Sequence, residues 1–566
     1  MSRLVKKSPA LCTDLPLETS DILGKIHLLG QLLRSCFGPS GRLKHVHNNI
    51  GGQVVTTSTS SLLLPSISSS RPFLNLILAS IHNHVRRFSD CGLFAAIVCV
   101  TLIERAEQFG LRRKVTTVVN KHLLGLCTNY LQQEACGCKV NLDFCSSHNL
   151  ITLARSVLCS KPACMLTGRE ALHISKLAVQ SFLLTVPSNS NDIVTLGMTL
   201  IVTIDGLPVN DSAVFPGLLL DVPDGYEGLD TRNPPSNPLC MVLFSTSLAG
   251  DLSELGDGTI EVQSIADTDS DILNQLLEIG RQVVKDGVKL FVCQRVIHPV
   301  LQQNLRSHGV IVIERVGLNL MQPLTQLTGS QPVATLHTTI PPKAYGKVGN
   351  IISRQFGSKT MLQVHPAGES VICTTVLCHR NATMLNELKV AYHKTEHVLR
   401  LTLKEPFALL GGGCTETHLA AYIRHQCDTT GSASMLDCSQ TEYCLGVEAF
   451  CSSLESVATS LQHDSETSLI DLISAHHWTL PVDTLQEDTE ACLNNCGCGL
   501  MKSSQTHKWS HLNTKYPVFS PVSPSRGDNV KPSVLDSFTA KLNALQVAVE
   551  TANVALDVRY IIQDTN

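Results

Sequence analysis

The chain has 566 residues, 43% of them hydrophobic, and a net charge of -4; this length allows three or four ordinary domains, and the charge gives no basic footprint for nucleic acid. Only 16% of residues are charged, below the roughly 25% of an average soluble domain, so part of the surface is expected to be covered by other chains. The longest apolar run, Leu93 to Ile103, is too short to span a bilayer, and no membrane insertion is expected.

The first residues lack the continuous apolar stretch of a secretory signal. The 22 cysteines therefore read as reduced thiols of a cytosolic chain. A metal site of cysteines would want paired C-x-x-C units. Cys136-Gly-Cys138 and Cys496-Gly-Cys498 are single, distant C-x-C pairs, so none is expected.

From about 20 to 145 the pattern is helical, strongest at Leu74 to Val85, Leu93 to Glu104 and Val118 to Leu131. Helices around Leu150 to Leu158 and Arg169 to Leu183 follow. Near 200 the pattern turns to strands, Leu200 to Ile204 and Gly217 to Asp221, with prolines and glycines between them. Next come a helix marked by Ile272, Leu276, Ile279 and Val283, a strand Val288 to Cys293, a helix Pro299 to Leu305, a strand Val310 to Ile313, and a helix Leu318 to Leu327. Helices alternating with apolar strands predict a parallel α/β unit inserted between helical halves.

A strand is expected at Cys373 to Arg380, then a helix from Leu385 that must stop before Pro406. Leu388, Ala391, Tyr392, Thr395, Leu399 and Thr402 recur at spacings of three and four, leaving Lys389, Lys394, Glu396 and Arg400 largely off the packed face. Gly411, Gly412 and Gly413 then offer a backbone with no side chains in a ligand's way, followed by Glu416. Tyr516 to Ser525, rich in proline and serine, reads as a mobile loop. Leu542, Leu545, Val549, Ala552 and Leu556 line one face of a closing helix that carries Glu550, and Val558 to Ile562 reads as a last strand.

Gly38-Pro39-Ser40-Gly41-Arg42-Leu43-Lys44, Leu385-Asn386-Glu387-Leu388 with Tyr392-His393, and Gly411-Gly412-Gly413-Cys414-Thr415-Glu416 together resemble the group II chaperonins (TCP-1 family). Val292-Cys293-Gln294 and Ile313-Glu314-Arg315-Val316 are similar to wording of that family's apical domain. The resemblance implies a multidomain α and α/β subunit in five spans. These are an equatorial domain at 1–145 and 404–566, an intermediate domain at 146–203 and 355–403, and an inserted α/β apical substrate-binding domain at 204–354. Residues 464–533 depart from the family and are read as a divergent loop. The closing strand resembles one the family uses between subunits.

The same resemblance implies an ATP and magnesium site. Gly38, Pro39, Gly41, Gly411, Gly412, Gly413 and Glu550 would hold nucleotide and Asp90 the magnesium. Main-chain amides converging from glycine-rich turns are what phosphate needs. The family's Gly-Asp-Gly-Thr-Thr corresponds to Ser89-Asp90-Cys91-Gly92-Leu93, so the carboxylate stays while both threonine hydroxyls and the first glycine are gone. Its Thr-Asn-Asp-Gly corresponds to Thr57-Ser58-Thr59-Ser60, without the acid. Where the family carries the water-activating Asp after Leu-His, this chain has Lys394 after His393, and no catalytic residue is assigned. Gly256-Asp257-Gly258-Thr259 lies in the inserted unit and reads as a tight turn.

These losses resemble a divergent branch, the Bardet-Biedl chaperonin-like proteins. That branch implies a chaperone that binds clients and assists assembly of the ciliary BBSome, with other chaperonin-like proteins and cytosolic chaperonin subunits as partners. The expected places are the cytoplasm, the centrosome or ciliary basal body, and the nucleus. ATP hydrolysis is expected to be weak or absent. The alternative reading is an ATP-dependent folding subunit that forms rings.

Overall fold

A computed structural model of the chain describes residues 11–47, 55–67, 72–188, 196–222, 238–250, 268–335, 339–430, 436–462, 466–481, 493, 495–503, 508–524 and 531–563. The turn expected at Gly256 to Thr259 lies outside the described residues. Two compact units emerge, Met1–Val179 with Ala382–Asn566, and Gln180–Asn381.

The first unit is built around the helix Gly92–Gln108. Its run Phe94 to Ile103 is buried at every position, and a helix apolar all round has to sit inside a bundle. Around it pack Ser20–Arg34, Pro72–Phe88, Gln440–Thr459 and the closing helix Phe538–Asp557. The start of Gln440–Thr459 is fixed by a capping box in which Ser439 and Glu442 exchange hydrogen bonds with each other's backbone amides. The closing helix buries Leu542, Leu545, Val549, Ala552 and Leu556 as its spacing predicts. The strand that follows, Tyr560–Gln563, pairs antiparallel with Leu11–Asp14 of this same chain.

The second unit contains the expected 204–354 span together with residues 180–203 and 355–381, read above as intermediate domain. Its strand Met198–Asp205 runs parallel to Ile372–His379 along its whole length. A six-stranded sheet carries Ile311–Ile313, Val288–Cys293 and Leu239–Phe244 in parallel, as the alternation of helices and strands predicts, then adds Tyr345–Phe356, Lys359–Pro366 and Leu218–Asp221 antiparallel. Alternate residues of the parallel strands feed two cores. Leu290, Val292, Ile311 and Ile313 join one, and Phe291, Cys293 and Val312 the other.

Two expectations are corrected. On the helix Ala382–Leu401 the predicted face is buried, but Lys394 and Glu396 are buried as well, only 8% and 4% exposed. The stretch after 464 is packed where it is described. Glu466–Asp471, His477–Pro481 and Trp509–His511 form a three-stranded sheet. Tyr516 closes a cluster with Ile470, Ala475, Leu512, Ala421 and Ala458. Its hydroxyl bonds to Glu455 and Arg424, so the described part of the Pro/Ser-rich segment is anchored by an aromatic residue and a charged pair.

Candidate functional site

A cavity of about 440 Å3 opens in the first unit, walled by Gly38, Pro39, Asp90, Gly412 and Gly413, within the size range of small-ligand sites. Five of the sequence-predicted residues thus converge from three segments. Gly38 has φ +81°, Gly412 +66° and Gly413 +83°, conformations that favour glycine. A Cβ at Gly412 would sit 2.2 Å from the Gly497 carbonyl oxygen.

Three predicted residues stand elsewhere. Gly41 and Gly411 are behind the wall: the Gly41 amide donates to Gly38 O at 3.1 Å and the Gly411 amide to Val534 O at 3.0 Å. Glu550 is exposed and lines a separate shallow depression with Leu76, Ser80 and Val554. The closing helix presents Lys541 to the cavity instead. At about 100° per residue, positions 541 and 550 point to opposite sides.

The charged groups are arranged in two clusters. Lys541, buried, pairs with Glu416 at 2.6 Å and with Asp536, and these two carboxylates keep its ammonium protonated against the opposing effect of burial. Lys161, also buried, reaches Asp90 Oδ1 at 3.5 Å and Ser160 Oγ at 2.8 Å. Lys394 donates to the Ser89 carbonyl oxygen at 3.1 Å. Burial, followed by the charge of Lys161, pushes its pKa down to about 8 against the pull of Asp90 and Glu387. Glu387 accepts from the hydroxyls of Thr57, at 2.8 Å, and of Thr59. Thr59, where the resemblance implies an acid, is thus a donor turned onto a buried glutamate.

The loop that carries Asp90 keeps a glycine-like backbone without the glycines. Ser89 has φ +65° and Cys91 φ +59°. Gly92, standing where a threonine is expected, has no room for one: a Cβ there would lie 2.3 Å from Val85 Cγ2 and 2.8 Å from Ser60 Oγ.

Lys161, Glu387, Asp536 and Lys541 were not predicted. One signal existed for Lys541, a charge placed four residues before Leu545 on the apolar stripe of the closing helix. A second set of side chains went unseen because it is assembled from distant segments. Cys414, His476, Cys496 and Cys498 are all buried, with their donor atoms within 4.8 Å of one another. The expectation of no cysteine-based metal geometry, drawn from spacing alone, is corrected to that extent.

The glycine walls and the volume fit a nucleotide, and Gly38, Pro39, Gly412 and Gly413 would hold its phosphates with Asp90 on the magnesium. Such a bound ion would supply charge neutralisation to the phosphates. The Lys394 ammonium, by contrast, offers no acceptor for a proton.

The fold and this glycine-walled cavity define a chaperonin subunit: the chain belongs to the TCP-1/cpn60 chaperonin family, whose model matches residues 29–566. Across its whole length it is similar to "Molecular chaperone MKKS" of Homo sapiens, 46% identical with all of both chains covered. The Mus musculus protein of that name is 43% identical over the same extent. The thermosome subunit alpha of Halobacterium salinarum is 23% identical over 79% of this chain and 77% of its own.

Proposed function

We propose that this chain is a chaperonin-like molecular chaperone that binds client proteins and assists assembly of the ciliary BBSome, with little or no ATP hydrolysis. Other Bardet-Biedl chaperonin-like proteins and cytosolic chaperonin subunits are its partners, BBSome subunits its clients, and the cytoplasm, centrosome or basal body and nucleus its places of work. The chaperone class is supported by family membership and by full-length similarity to the curated chaperones. Imaging of the tagged chain and co-purification of BBSome subunits test location and clients.

The observation that carries the loss of turnover is Lys394, buried and bonded to Ser89 O beside Asp90. Absence of a general base alone slows a reaction roughly 10² to 10⁴ fold. Purified chain is therefore expected to bind an ATP analogue with magnesium and to release no phosphate above background. Magnesium-dependent release that Asp90→Ala abolishes would falsify this.

Lys394→Asp alone is expected not to restore turnover. Thr59 faces Glu387, and positions 92 and 93 carry no hydroxyl, so one carboxylate leaves the phosphates and metal short of ligands. The ring-forming alternative predicts an ATP-dependent shift to a large self-assembled species on gel filtration, and the assembly reading predicts none.

A further inference from the structure

We propose that Cys414, His476, Cys496 and Cys498 form a structural zinc site that ties the family-divergent segment to the glycine triplet of the cavity. The four ligands come from three places. Cys414 opens the helix Cys414–Thr430 directly after Gly413. His476 sits in the turn between Glu466–Asp471 and His477–Pro481. Cys496 and Cys498 flank Gly497.

The distances suit a tetrahedral ion. Cys496 Sγ lies 3.4 Å from Cys498 Sγ and 3.4 Å from His476 Nδ1, and Cys498 Sγ lies 3.7 Å from that nitrogen. With Zn–S near 2.3 Å and Zn–N near 2.05 Å, a tetrahedron has S–S edges of about 3.8 Å and S–N edges of about 3.6 Å. The observed gaps differ from these by a few tenths of an ångström. Three sulfurs and an imidazole with no carboxylate favour zinc over magnesium or calcium. Four protein ligands in full burial leave no open position, which marks a structural rather than a catalytic site.

The simpler reading is a cluster of buried thiols packing as small apolar groups, common for free cysteine. Preorganisation around the ligands argues against it. The Met501 amide donates to Cys496 Sγ at 3.1 Å, an arrangement that stabilises a thiolate. Asp471, fully buried, accepts from the amides of Ile473, Ser474 and His476 and from Trp478 Nε1, and so holds the turn that presents His476. Cys136 and Cys138 provide an internal contrast. Their sulfurs are also 3.4 Å apart, yet among the described residues only the 414/476/496/498 set gathers such a group of ligands.

The site sits against the cavity wall. Gly497 lines the cavity, its amide donates to His477 O at 2.8 Å, and a Cβ on it would meet Gly412 O at 2.1 Å. His477, next to His476, bonds through Nδ1 to Gly412 O at 2.9 Å. A zinc ion would thus fix both the start of the helix after the triplet and the turn packed on it. This inference holds whether or not nucleotide binds.

The test is metal content of the full chain, purified under reducing, chelator-free conditions from zinc-supplemented medium. About one zinc per chain is expected by elemental analysis. Cys496→Ser/Cys498→Ser should lose it, while Cys136→Ser/Cys138→Ser should keep it. Should the first variant fail to fold, cobalt exchanged into the unmodified chain gives the answer. Thiolate-to-cobalt charge transfer and the intense visible bands of a tetrahedral site are expected. A zinc-selective chelator that spares magnesium should lower the melting temperature, with recovery on adding zinc. A metal-free wild-type chain, zinc retained in soluble Cys496→Ser/Cys498→Ser, or a cobalt spectrum without thiolate bands would each overturn the proposal.

Discussion

Lys394 holds an ammonium in a nearly closed environment, and burial, then the charge of Lys161, push its pKa down to about 8. Against about 10.4 for an unfolded lysine, the shift corresponds to about 3 kcal/mol of destabilisation at neutral pH. Between pH 8 and about 10.4 the folded chain gives up this proton before the unfolded chain does, so the contribution relaxes as pH rises through that window. Lys394→Met is expected to raise unfolding free energy at pH 7 by about 1 to 3 kcal/mol in urea titrations, after loss of the bond to Ser89 O is counted. The gain should fade toward pH 10, and a pH-independent difference would show that burial is not its source. The identity of this residue was legible in the sequence, because the surrounding wording fixes the register. Its burial was not. Helical periodicity assigns a charged side chain to the wet face, and only tertiary packing against the Ser89 to Cys91 loop reverses that.

At the scale of elements, the loop carrying Asp90 retains its shape while losing the residues that make the shape easy. Ser89 and Cys91 both hold left-handed φ values, at roughly 1 to 2 kcal/mol for each non-glycine residue. Ser89→Gly and Cys91→Gly are each expected to stabilise the chain by up to about 1 kcal/mol, since the glycine also adds freedom to the unfolded state. Gly92→Thr is expected to do the opposite. Its Cβ would meet Val85 and Ser60, and overpacking of this kind costs typically about 1 to 3 kcal/mol. Equilibrium denaturation of the three variants checks both signs. Long periodic elements such as Gly92–Gln108 and Thr268–Lys285 were readable from their apolar spacing. The sheet of Glu466–Asp471, His477–Pro481 and Trp509–His511 was not, because its strands are short and the third lies far along the chain from the hairpin it joins. What orders that segment is Trp478, fully buried, and the Tyr516 hydroxyl between Arg424 and Glu455. The cavity was half legible for the same reason. Glycine-rich turns announce themselves locally, whereas Lys161, Glu387 and Lys541 acquire their roles only when remote segments meet.

For the molecule as a whole, the division at Gln180 and Asn381 has a thermodynamic consequence. The second unit owns a six-stranded sheet with apolar clusters on both faces, one around Leu243, Val292 and Leu324, the other around Phe244, Phe291 and Leu301. A third cluster around Ile204, Leu219 and Val376 joins the smaller sheet to the larger. A contiguous segment with complete cores meets the requirement for folding alone. Residues 180–381 expressed by themselves are expected to melt in one cooperative transition, with an enthalpy on the order of 100 kcal/mol for a segment of this size. Within the full chain, the transition of this unit should be insensitive to substitutions at Lys394 or Gly92, which lie in the other unit. The full chain should then unfold in more than one step by calorimetry, with only the transition of the first unit moved by Lys394→Met. A single transition displaced as a whole by that variant would mean that the two units unfold as one, and that their internal contacts do not set the cooperative boundary.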